Sequence, residues 1–266
     1  MGSSEVKWLS GGNTHDAIAK IGSTVRRPTG TWTPGIHALL RHLEAAGFEH
    51  APRVLGFDDE DREIVTFIEG TIVWPDAPDL LSTAVALTEV AWVIRAFHDA
   101  ARDFVPPPCE WSDFAADPSG IEEIVCHNDL GPWNLVRSMD SWVFIDWDLA
   151  APGRVAWDLG WAILSLVPFF PDRMPPPDEL RRRLEVFCSA YGLDRIPRDV
   201  IHVAFERAAF EANMIRTRGE RGLEPHARLL REGHYDVWQA TATTIAAHEQ
   251  AWTQMVGDLI DQRREL

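Results

Sequence analysis

The chain has 266 residues, of which 45% are hydrophobic, so it can bury the core of one domain or two. Its formal net charge of −16 argues against nucleic acid as the main partner, because a phosphate backbone repels an acidic surface. The sequence opens without a basic and apolar leader, contains no run of about 18 apolar residues, and has three cysteines without metal-binding spacing. We therefore expect a soluble, cytoplasmic protein with reduced thiols and no membrane association.

The N-terminal quarter of the chain is rich in short β-prone segments. Five such runs, each bounded by turn residues, are Val6–Leu9, Ala17–Ile21, Thr24–Arg27, Ala51–Phe57 and Glu63–Ile68. Gly11 and Gly12 lie in the first loop, and a Gly-Gly loop lets backbone N–H groups approach phosphates closely. Between the third and fourth runs, apolar residues at helical spacing predict a helix from Pro34 to Gly47. The pattern indicates a small five-stranded lobe with one helix.

The rest of the chain is mainly helical in pattern. Apolar residues at helical spacing predict a helix from about Leu80 to Ala101 and another from Trp157 to about Val167. Residues 105–120 are proline-rich and form a connector. Three more helices are predicted after a proline-rich break, at about 178–191, 198–218 and 225–263. Strands followed by helices are typical of the α+β class.

The segment between residues 127 and 148 contains the best candidates for catalysis. Its β-prone runs Leu135–Arg137 and Trp142–Ile145 flank a turn-like segment and predict a hairpin. With the turn centred near Asp140, Asn134 and Asp146 would lie opposite each other. Directly opposed residues have Cβ atoms about 4.5–5.5 Å apart.

Oxygen atoms at those two positions suit a magnesium ion. Mg²⁺ prefers a few protein oxygens together with phosphates, and Asn134 and Asp146 supply an amide and a carboxylate oxygen. Asp129, at the start of the same loop, could accept the proton of a hydroxyl that attacks a γ-phosphate. His127 and Asp129 alone could simply pin a tight loop. The additional Asn134 and Asp146 at these spacings favour the catalytic interpretation.

These residues also resemble a known family. The run His127-x-Asp129-x4-Asn134, followed by Asp146 at a strand end, is similar to the catalytic and metal loops of the aminoglycoside phosphotransferase-like kinases. Those enzymes share the protein-kinase catalytic plan. The resemblance covers most of the chain and is sharpest over residues 126–160.

The resemblance implies a two-lobed protein-kinase-like fold. Residues 1–69 would form a small five-stranded antiparallel N-terminal lobe, which binds the nucleotide. Residues 70–266 would form a larger, mainly helical lobe for catalysis and acceptor binding. Asp158 corresponds to a family aspartate that braces the catalytic loop.

The nucleotide-binding residues are also implied by the resemblance. The loop with Gly11 and Gly12 would cover the phosphates of ATP or GTP. Backbone groups of Phe67 and Ile68, at the hinge between the lobes, would hydrogen-bond the base. Each of these segments is a weak signal by itself.

Two positions depart from the family pattern. The third strand of the family carries a lysine that holds the α- and β-phosphates, whereas this chain has Arg26 and Arg27. Strand alternation puts them on opposite faces, and we expect Arg26 to bind the phosphates and Arg27 to be exposed. The family's first helix carries a glutamate that orients the cation. Here His37 stands near that place, and Glu44 lies two turns further on.

The function implied is Mg²⁺-dependent transfer of a γ-phosphoryl group from ATP or GTP to a hydroxyl of a small molecule, such as an aminoglycoside-type antibiotic. Asp129 would be the base, and His127 would fix the loop by hydrogen bonding. The chain's acidity favours a cationic acceptor. Candidate acceptor-binding acids are Glu206, Glu211 and Asp236.

Two alternatives stay open. One is a metabolic kinase acting on choline, a sugar or an amino alcohol. The other is a nucleotide-binding pseudokinase or immunity protein that acts through protein partners. The departures at Arg26 and His37 favour the second alternative, and the intact Asp129, Asn134 and Asp146 count against it.

Overall fold

Short strands with alternating burial build an antiparallel sheet at the start of the chain. The structure, a computed structural model, describes residues 6–9, 18–139 and 141–264. Its sheet has the order β1-β2-β3-β5-β4, and every neighbouring pair is antiparallel. The strands are β1 Val6–Leu9, β2 Ile18–Ile21, β3 Thr24–Arg27, β4 Val54–Phe57 and β5 Glu63–Thr66. The predicted five-stranded antiparallel sheet is confirmed.

One helix packs within this N-terminal part. Helix α1 runs over Thr33–Ala45, close to the predicted bounds. It starts with a proline in its first turn, where the missing N–H costs no hydrogen bond. It ends before Gly47, whose φ of +80° suits a residue without Cβ. The predicted apolar face is buried, and it consists of Ile36, Leu39, Leu40 and Leu43.

A short strand joins this sheet region to the catalytic hairpin. Strand β6, Thr71–Ile72, pairs antiparallel with β8, Leu135–Ser138. Gly70 precedes β6, and a Cβ at that position would lie 2.3 Å from the carbonyl oxygen of Arg137. Only glycine allows the two backbones to approach so closely. This contact fixes the start of the helical part against the hairpin.

The remaining elements are mostly helices, as predicted. Two further antiparallel strand pairs are present in the described residues. Strand β7, Ile124–Cys126, pairs with β10, Ala151–Gly153, and β8 pairs with β9, Ser141–Phe144. Two 3-10 turns cover Pro78–Leu81 and Pro132–Asn134. The helices are α2 Ala84–Ala101, α3 Val155–Leu166, α4 Pro177–Tyr191, α5 Val200–Gly219, α6 His226–Arg231 and α7 His234–Arg264. The single helix predicted over 225–263 is wrong, because Gly233 has φ +83° and separates α6 from α7. None of the helices in the described ranges has the length and apolar character to cross a membrane.

The main hydrophobic cluster extends across most of these elements. It contains Leu39 of α1, Ile94 of α2, Leu164 of α3 and Ile245 of α7, all of them fully buried. Apolar packing therefore continues from the first helix into the helical part. The boundary between residues 69 and 70 stays a prediction.

Candidate active site

The predicted hairpin is present, but its register differs by one residue. Strands β8 and β9 pair antiparallel, with Ser138 opposite Ser141. Asn134 consequently lies opposite Ile145, whose N–H donates to the Asn134 carbonyl at 2.9 Å. The predicted direct opposition of Asn134 and Asp146 is wrong, because β8 and β9 pair Ser138 with Ser141 and Leu135 with Phe144, a register one residue away from the predicted one.

Asp146 nevertheless lies beside Arg27, and its backbone has an unusual conformation. Its φ is +60°, and Asn128 in the catalytic loop has φ +65°. Asp and Asn tolerate this left-handed conformation better than most residues. Backbone strain of this kind is concentrated at functional sites. The two segments are thus bent where the catalytic side chains are presented.

Three N–H donors hold the carboxylate of Asp129. The indole Nε1 atoms of Trp133 and Trp161 donate to its Oδ1 at 2.9 and 3.1 Å. Asn134 Nδ2 donates to its Oδ2 at 2.7 Å, which directs the Asn134 Oδ1 away from Asp129. The carboxylate is therefore fixed in orientation while its side chain stays partly exposed.

The surroundings of Asp129 raise the pKa of its carboxyl group. Burial raises its pKa to about 7, and the nearby carboxylates of Asp146 and Glu211 act in the same direction. The Trp133 hydrogen bond and the positive charge of Arg207 oppose this rise. A pKa close to the working pH is what efficient general base catalysis requires.

His127 connects the loop that carries Asp129 to the end of strand β9. Its ring is fully buried, its Nε2 donates to the Ile145 carbonyl at 3.2 Å, and its Nδ1 accepts from the Asp129 N–H at 3.2 Å. One nitrogen donates and the other accepts, so the ring is neutral. Burial lowers the pKa of His127 to about 4, in agreement with that state. The geometry fits a loop-fixing role.

Asp158 on α3 braces the same loop. Its carboxylate accepts from the backbone N–H groups of His127 and Asn128 at 2.9 and 2.8 Å. It also contacts Nε2 of His98 at 3.2 Å, and His98 Nδ1 lies 2.9 Å from the Tyr191 hydroxyl. Burial alone would raise the pKa of Asp158, but the His98 hydrogen bond and the other partners lower it. This network joins three helices to the loop.

One of the two arginines of β3 differs from its predicted position. Arg26 has its Nε 3.6 Å from Oδ2 of Asp58 and is hydrogen-bonded to Thr24, and its contact with phosphates stays a prediction. Arg27, predicted to be exposed, is only 7% exposed and points toward Asp146. Strand alternation separates the two side chains correctly, but it does not tell which face is turned inward. The prediction that Arg27 is exposed is wrong.

The guanidinium of Arg27 is surrounded by carboxylates. Its Nε forms a close ion pair with Glu63, its Nη1 lies 3.2 Å from Asp146 and its Nη2 lies 2.8 Å from Asp148. Burial alone would lower its pKa, but the attraction of these three groups outweighs burial and raises it. Arg27 is therefore a permanent cation beside the predicted metal ligands.

The residues predicted to contact the base and phosphates are only partly described. Gly11 and Gly12 lie outside the described residues. The N–H of Phe67 donates to the Ser23 carbonyl at 2.9 Å, so this donor is already used within the protein. Contact between the hinge and the base stays a prediction for the Phe67 carbonyl and the backbone of Ile68.

The predicted metal ligands have suitable chemistry. Asn134 and Asp146 provide oxygen donors, and Asp148 lies beside them on the same Arg27. Within the described ranges, no three His, Cys, Asp or Glu side chains form a ready-made metal cluster. Magnesium in phosphoryl-transfer sites is commonly held by one or two protein oxygens plus substrate phosphates, so the residues present fit this ion.

A buried arginine supports the catalytic loop from α5. Arg207 is completely buried between the rings of Trp157 and Trp161, with its Cζ 4.7 and 4.4 Å from the ring centres. Its Nη2 donates to the Asn128 carbonyl at 2.9 Å. Glu211 follows one turn later on the same helix, and burial raises its pKa.

The three predicted acceptor-binding acids have different surroundings. Glu211 is the one whose charge acts on Asp129. Glu206 instead lies 3.5 Å from Arg154, and Asp236 is exposed on α7. The structure thus brings one of the three into the neighbourhood of the catalytic carboxylate.

Comparison with known proteins bears directly on this geometry. Residues 109–196, which include the whole catalytic hairpin, match the model of the phosphotransferase enzyme family. The family resemblance predicted from the sequence is confirmed. The matched segment also covers the whole of α3 and α4.

One curated relative is similar in sequence. The trifolitoxin immunity protein of Rhizobium leguminosarum bv. trifolii is 37% identical over 163 residues. This match covers 59% of the chain and 60% of the relative, so the chain aligns with about three fifths of that protein's length.

Several solved kinases share the fold at low sequence identity. A choline/ethanolamine kinase family protein from Mesorhizobium loti has a TM-score of 0.59 at 13% identity, covering 97% of this chain and 92% of that one. The choline kinase from Streptococcus pneumoniae has a TM-score of 0.56 at 16% identity, covering 91% and 94%. The aminoglycoside phosphotransferase APH(2″)-IIa, in a complex with streptomycin and ATP, has a TM-score of 0.57 at 12% identity, covering 91% and 93%. These similarities confirm the kinase-like fold.

Several residues of the site were missed by sequence reasoning. Trp133 lies only four residues after Asp129, and its position inside the motif could have drawn attention to it. Trp161 and Glu63 are distant in sequence and reach the site only through tertiary packing. Arg27 was considered but placed on the wrong face.

Proposed function

We propose that the protein transfers the γ-phosphoryl group of ATP or GTP to a hydroxyl group of a small molecule. The observation that carries this proposal is the Asp129 carboxylate, held by three N–H donors and with its pKa raised to about 7. As the acceptor oxygen forms its bond to phosphorus, the bond between the γ-phosphorus and the β–γ bridging oxygen breaks. Asp129 takes the hydroxyl proton, and the nucleoside diphosphate leaves.

The phosphate end of the site would rest on Asn134, Asp146 and Arg27. Bound through Asn134 and Asp146, Mg²⁺ would neutralise charge on the phosphate oxygens. Arg27 would bind the phosphates in place of the family's lysine, since its planar head can contact two phosphate oxygens at once. His127 and Asp158 keep the loop rigid, which suits a reaction in which positioning supplies most of the rate.

The acceptor is proposed to carry a positive charge. Glu211 lies close enough to Asp129 for its charge to raise the Asp129 pKa, and Trp133 offers a partly exposed aromatic face beside the same carboxylate. A carboxylate next to an aromatic ring is a favourable environment for an ammonium group. The structural neighbours include choline kinases and a phosphotransferase crystallised with streptomycin, and both of these ligands are cations.

A second candidate function follows from the curated relative. The 37% identity to a trifolitoxin immunity protein favours a role in protection from a toxin. Protection could result from phosphorylation of a toxin hydroxyl, or from nucleotide-dependent binding of a protein partner without catalysis. The two routes differ in their need for the Asp129 carboxylate.

Phosphoryl transfer is tested with radiolabelled ATP and GTP, Mg²⁺ and a panel of choline, ethanolamine and aminoglycosides. We expect labelled product from wild-type protein, severe loss in Asp129→Asn, and normal transfer in Asp236→Asn, which removes an exposed carboxylate of α7. A wild-type protein that binds nucleotide, labels no acceptor and retains toxin protection in the Asp129→Asn form would refute the kinase proposal in favour of the non-catalytic route.

A further inference from the structure

The carboxylate that contacts the Nε atom of Arg27 lies on strand β5 and not on helix α1. Glu63 begins β5, is 2% exposed, and pairs with Arg27 through Nε. On its other side Glu63 Oε2 lies 2.9 Å from Nε2 of His37, which is also 2% exposed. Glu44, the nearest acid further along α1, instead lies 3.6 Å from Arg53 and is half exposed.

We infer that Glu63 is the positioning residue for Arg27 and that His37 fixes Glu63 from α1. This inference rests on the proposed function, because it assigns the group that orients the phosphate-binding cation. In the resemblance stated above, a helix glutamate orients a strand lysine. In this chain the acid has moved to the neighbouring strand, and the helix supplies a hydrogen-bond donor to it.

The sheet register makes the strand position suitable. Arg27 and Glu63 are directly opposed in the antiparallel β3–β5 pair. Residues in that relation have Cβ atoms about 4.5–5.5 Å apart, so the two side chains meet close to the strand backbone. A carboxylate can only accept hydrogen bonds, so His37 must carry its proton on Nε2. Helix α1 is thereby joined to Arg27 through one bridging carboxylate.

The same arrangement explains why arginine replaces lysine. Three different nitrogen atoms of Arg27 serve three different acids, namely Nε for Glu63, Nη1 for Asp146 and Nη2 for Asp148. A lysine offers a single nitrogen and cannot span these positions. With Glu63 holding the Nε side, the two Nη atoms are directed at the predicted phosphate and metal end of the cleft. The substitutions at positions 27 and 37 are therefore parts of one arrangement.

The test is the affinity for nucleotide, measured by calorimetry with ATP or GTP both in EDTA and with Mg²⁺. We expect Glu63→Gln to weaken binding by about ten- to one-hundredfold in both conditions, the range expected for loss of a charged partner from a buried polar contact. The double variant His37→Glu/Glu63→Gln returns the carboxylate to the helix and should recover most of that loss. Asp58→Asn is the matched control, because it removes the acidic partner of the neighbouring Arg26 and leaves the Arg27 contacts in place.

Kinetics separate positioning from mere structural support. With an acceptor in hand, Glu63→Gln should raise the KM for nucleotide more than it lowers kcat, while the acceptor KM stays constant. If Glu63→Gln does not fold, Glu63→Asp is tested in its place. This variant keeps the negative charge, but its side chain is one methylene shorter and holds the carboxylate further from Arg27. We expect about tenfold weaker nucleotide binding in that variant.

The outcomes distinguish this inference from the proposed function. A wild-type protein without nucleotide affinity would refute both. Wild-type nucleotide binding combined with unchanged affinity in a folded Glu63→Gln or Glu63→Asp protein would overturn the inference alone. Failure of the His37→Glu double variant to recover any affinity would also overturn it, since a negative charge beside Arg27 would then not be what orients this cation.

Discussion

Replacing Asp129 by asparagine should separate the chemical role of this carboxylate from its cost to stability. In the folded protein burial raises the Asp129 pKa from 3.8 to about 7. An acid with a raised folded pKa contributes its full stability below the unfolded pKa, and that contribution is lost as the pH rises through about 7. Three pKa units correspond to about 4 kcal/mol, and the partial exposure of the side chain reduces this to about 2–4 kcal/mol. Ionised Asp129 therefore destabilises the metal-free protein by that amount.

The order of stability of the wild-type and Asp129→Asn proteins should reverse between pH 4 and pH 8. At pH 4 the variant should be less stable than wild type, because its amide meets the donating Nδ2 of Asn134. At pH 8 the variant lacks the ionised carboxylate of wild type. Relative to pH 4, the free energy of unfolding of the variant should therefore change by about 2–4 kcal/mol in its favour compared with wild type. His127, whose pKa burial lowers to about 4, loses stability as the pH falls, but it is common to both proteins and cancels.

The measurement is urea unfolding of both proteins between pH 4 and pH 8, in EDTA and without nucleotide. Asp236→Asn controls for the removal of one negative charge, because its side chain is exposed. The activity of Asp129→Asn should fall by about 10²–10⁴ in kcat at every pH, although the protein is more stable at pH 8. Parallel stability curves for wild type and variant would show that Asp129 is not a buried acid with a raised pKa. A near-normal kcat would remove it as the base.

Three further substitutions test the neighbouring groups. Arg27→Lys keeps one positive charge but loses two of three acid contacts, so calorimetry should show about tenfold weaker nucleotide binding, whereas Arg26→Lys should bind normally. Asp146→Asn should abolish the extra thermal stabilisation that Mg²⁺ adds to nucleotide; an unchanged thermal shift would remove the metal assignment. Glu211→Gln should raise the KM for a cationic acceptor about tenfold and weaken its salt dependence, and equal KM values at low and high salt would contradict the cationic acceptor.

Much of the fold could be predicted because its signals are local. The five strands, α1, α2 and the hairpin each follow from apolar periodicity and turn residues within a window of about 20 residues. The break between α6 and α7 at Gly233 was not predicted. A helix boundary there depends on the positive φ of that glycine, which composition alone does not determine.

The site was predicted less completely, and its errors are errors of one residue. Arg27 was expected to be exposed although it is buried, and Asn134 was paired with Asp146 although it lies opposite Ile145. Side chains alternate along a strand, so a shift of one residue moves a group to the other face. The periodicity of β3 is the same for either choice. The inward face is decided by contacts with Glu63 and other distant acids, which no local pattern contains.

The contacts of Arg27 and His37 give a different meaning to the departures from the family pattern. His37 in place of a helix glutamate would, from sequence alone, favour a protein that has lost the interaction with the phosphate-binding cation. The structure has a carboxylate at that cation, supplied by Glu63 from the strand opposite Arg27 and hydrogen-bonded to His37. Arg27 is in contact with three acids, and the acid at its Nε atom lies on a strand and not on a helix. An absent motif residue is therefore weak support for a pseudokinase here, because the physical requirement is a negative charge at the guanidinium and not a glutamate at one position of a helix.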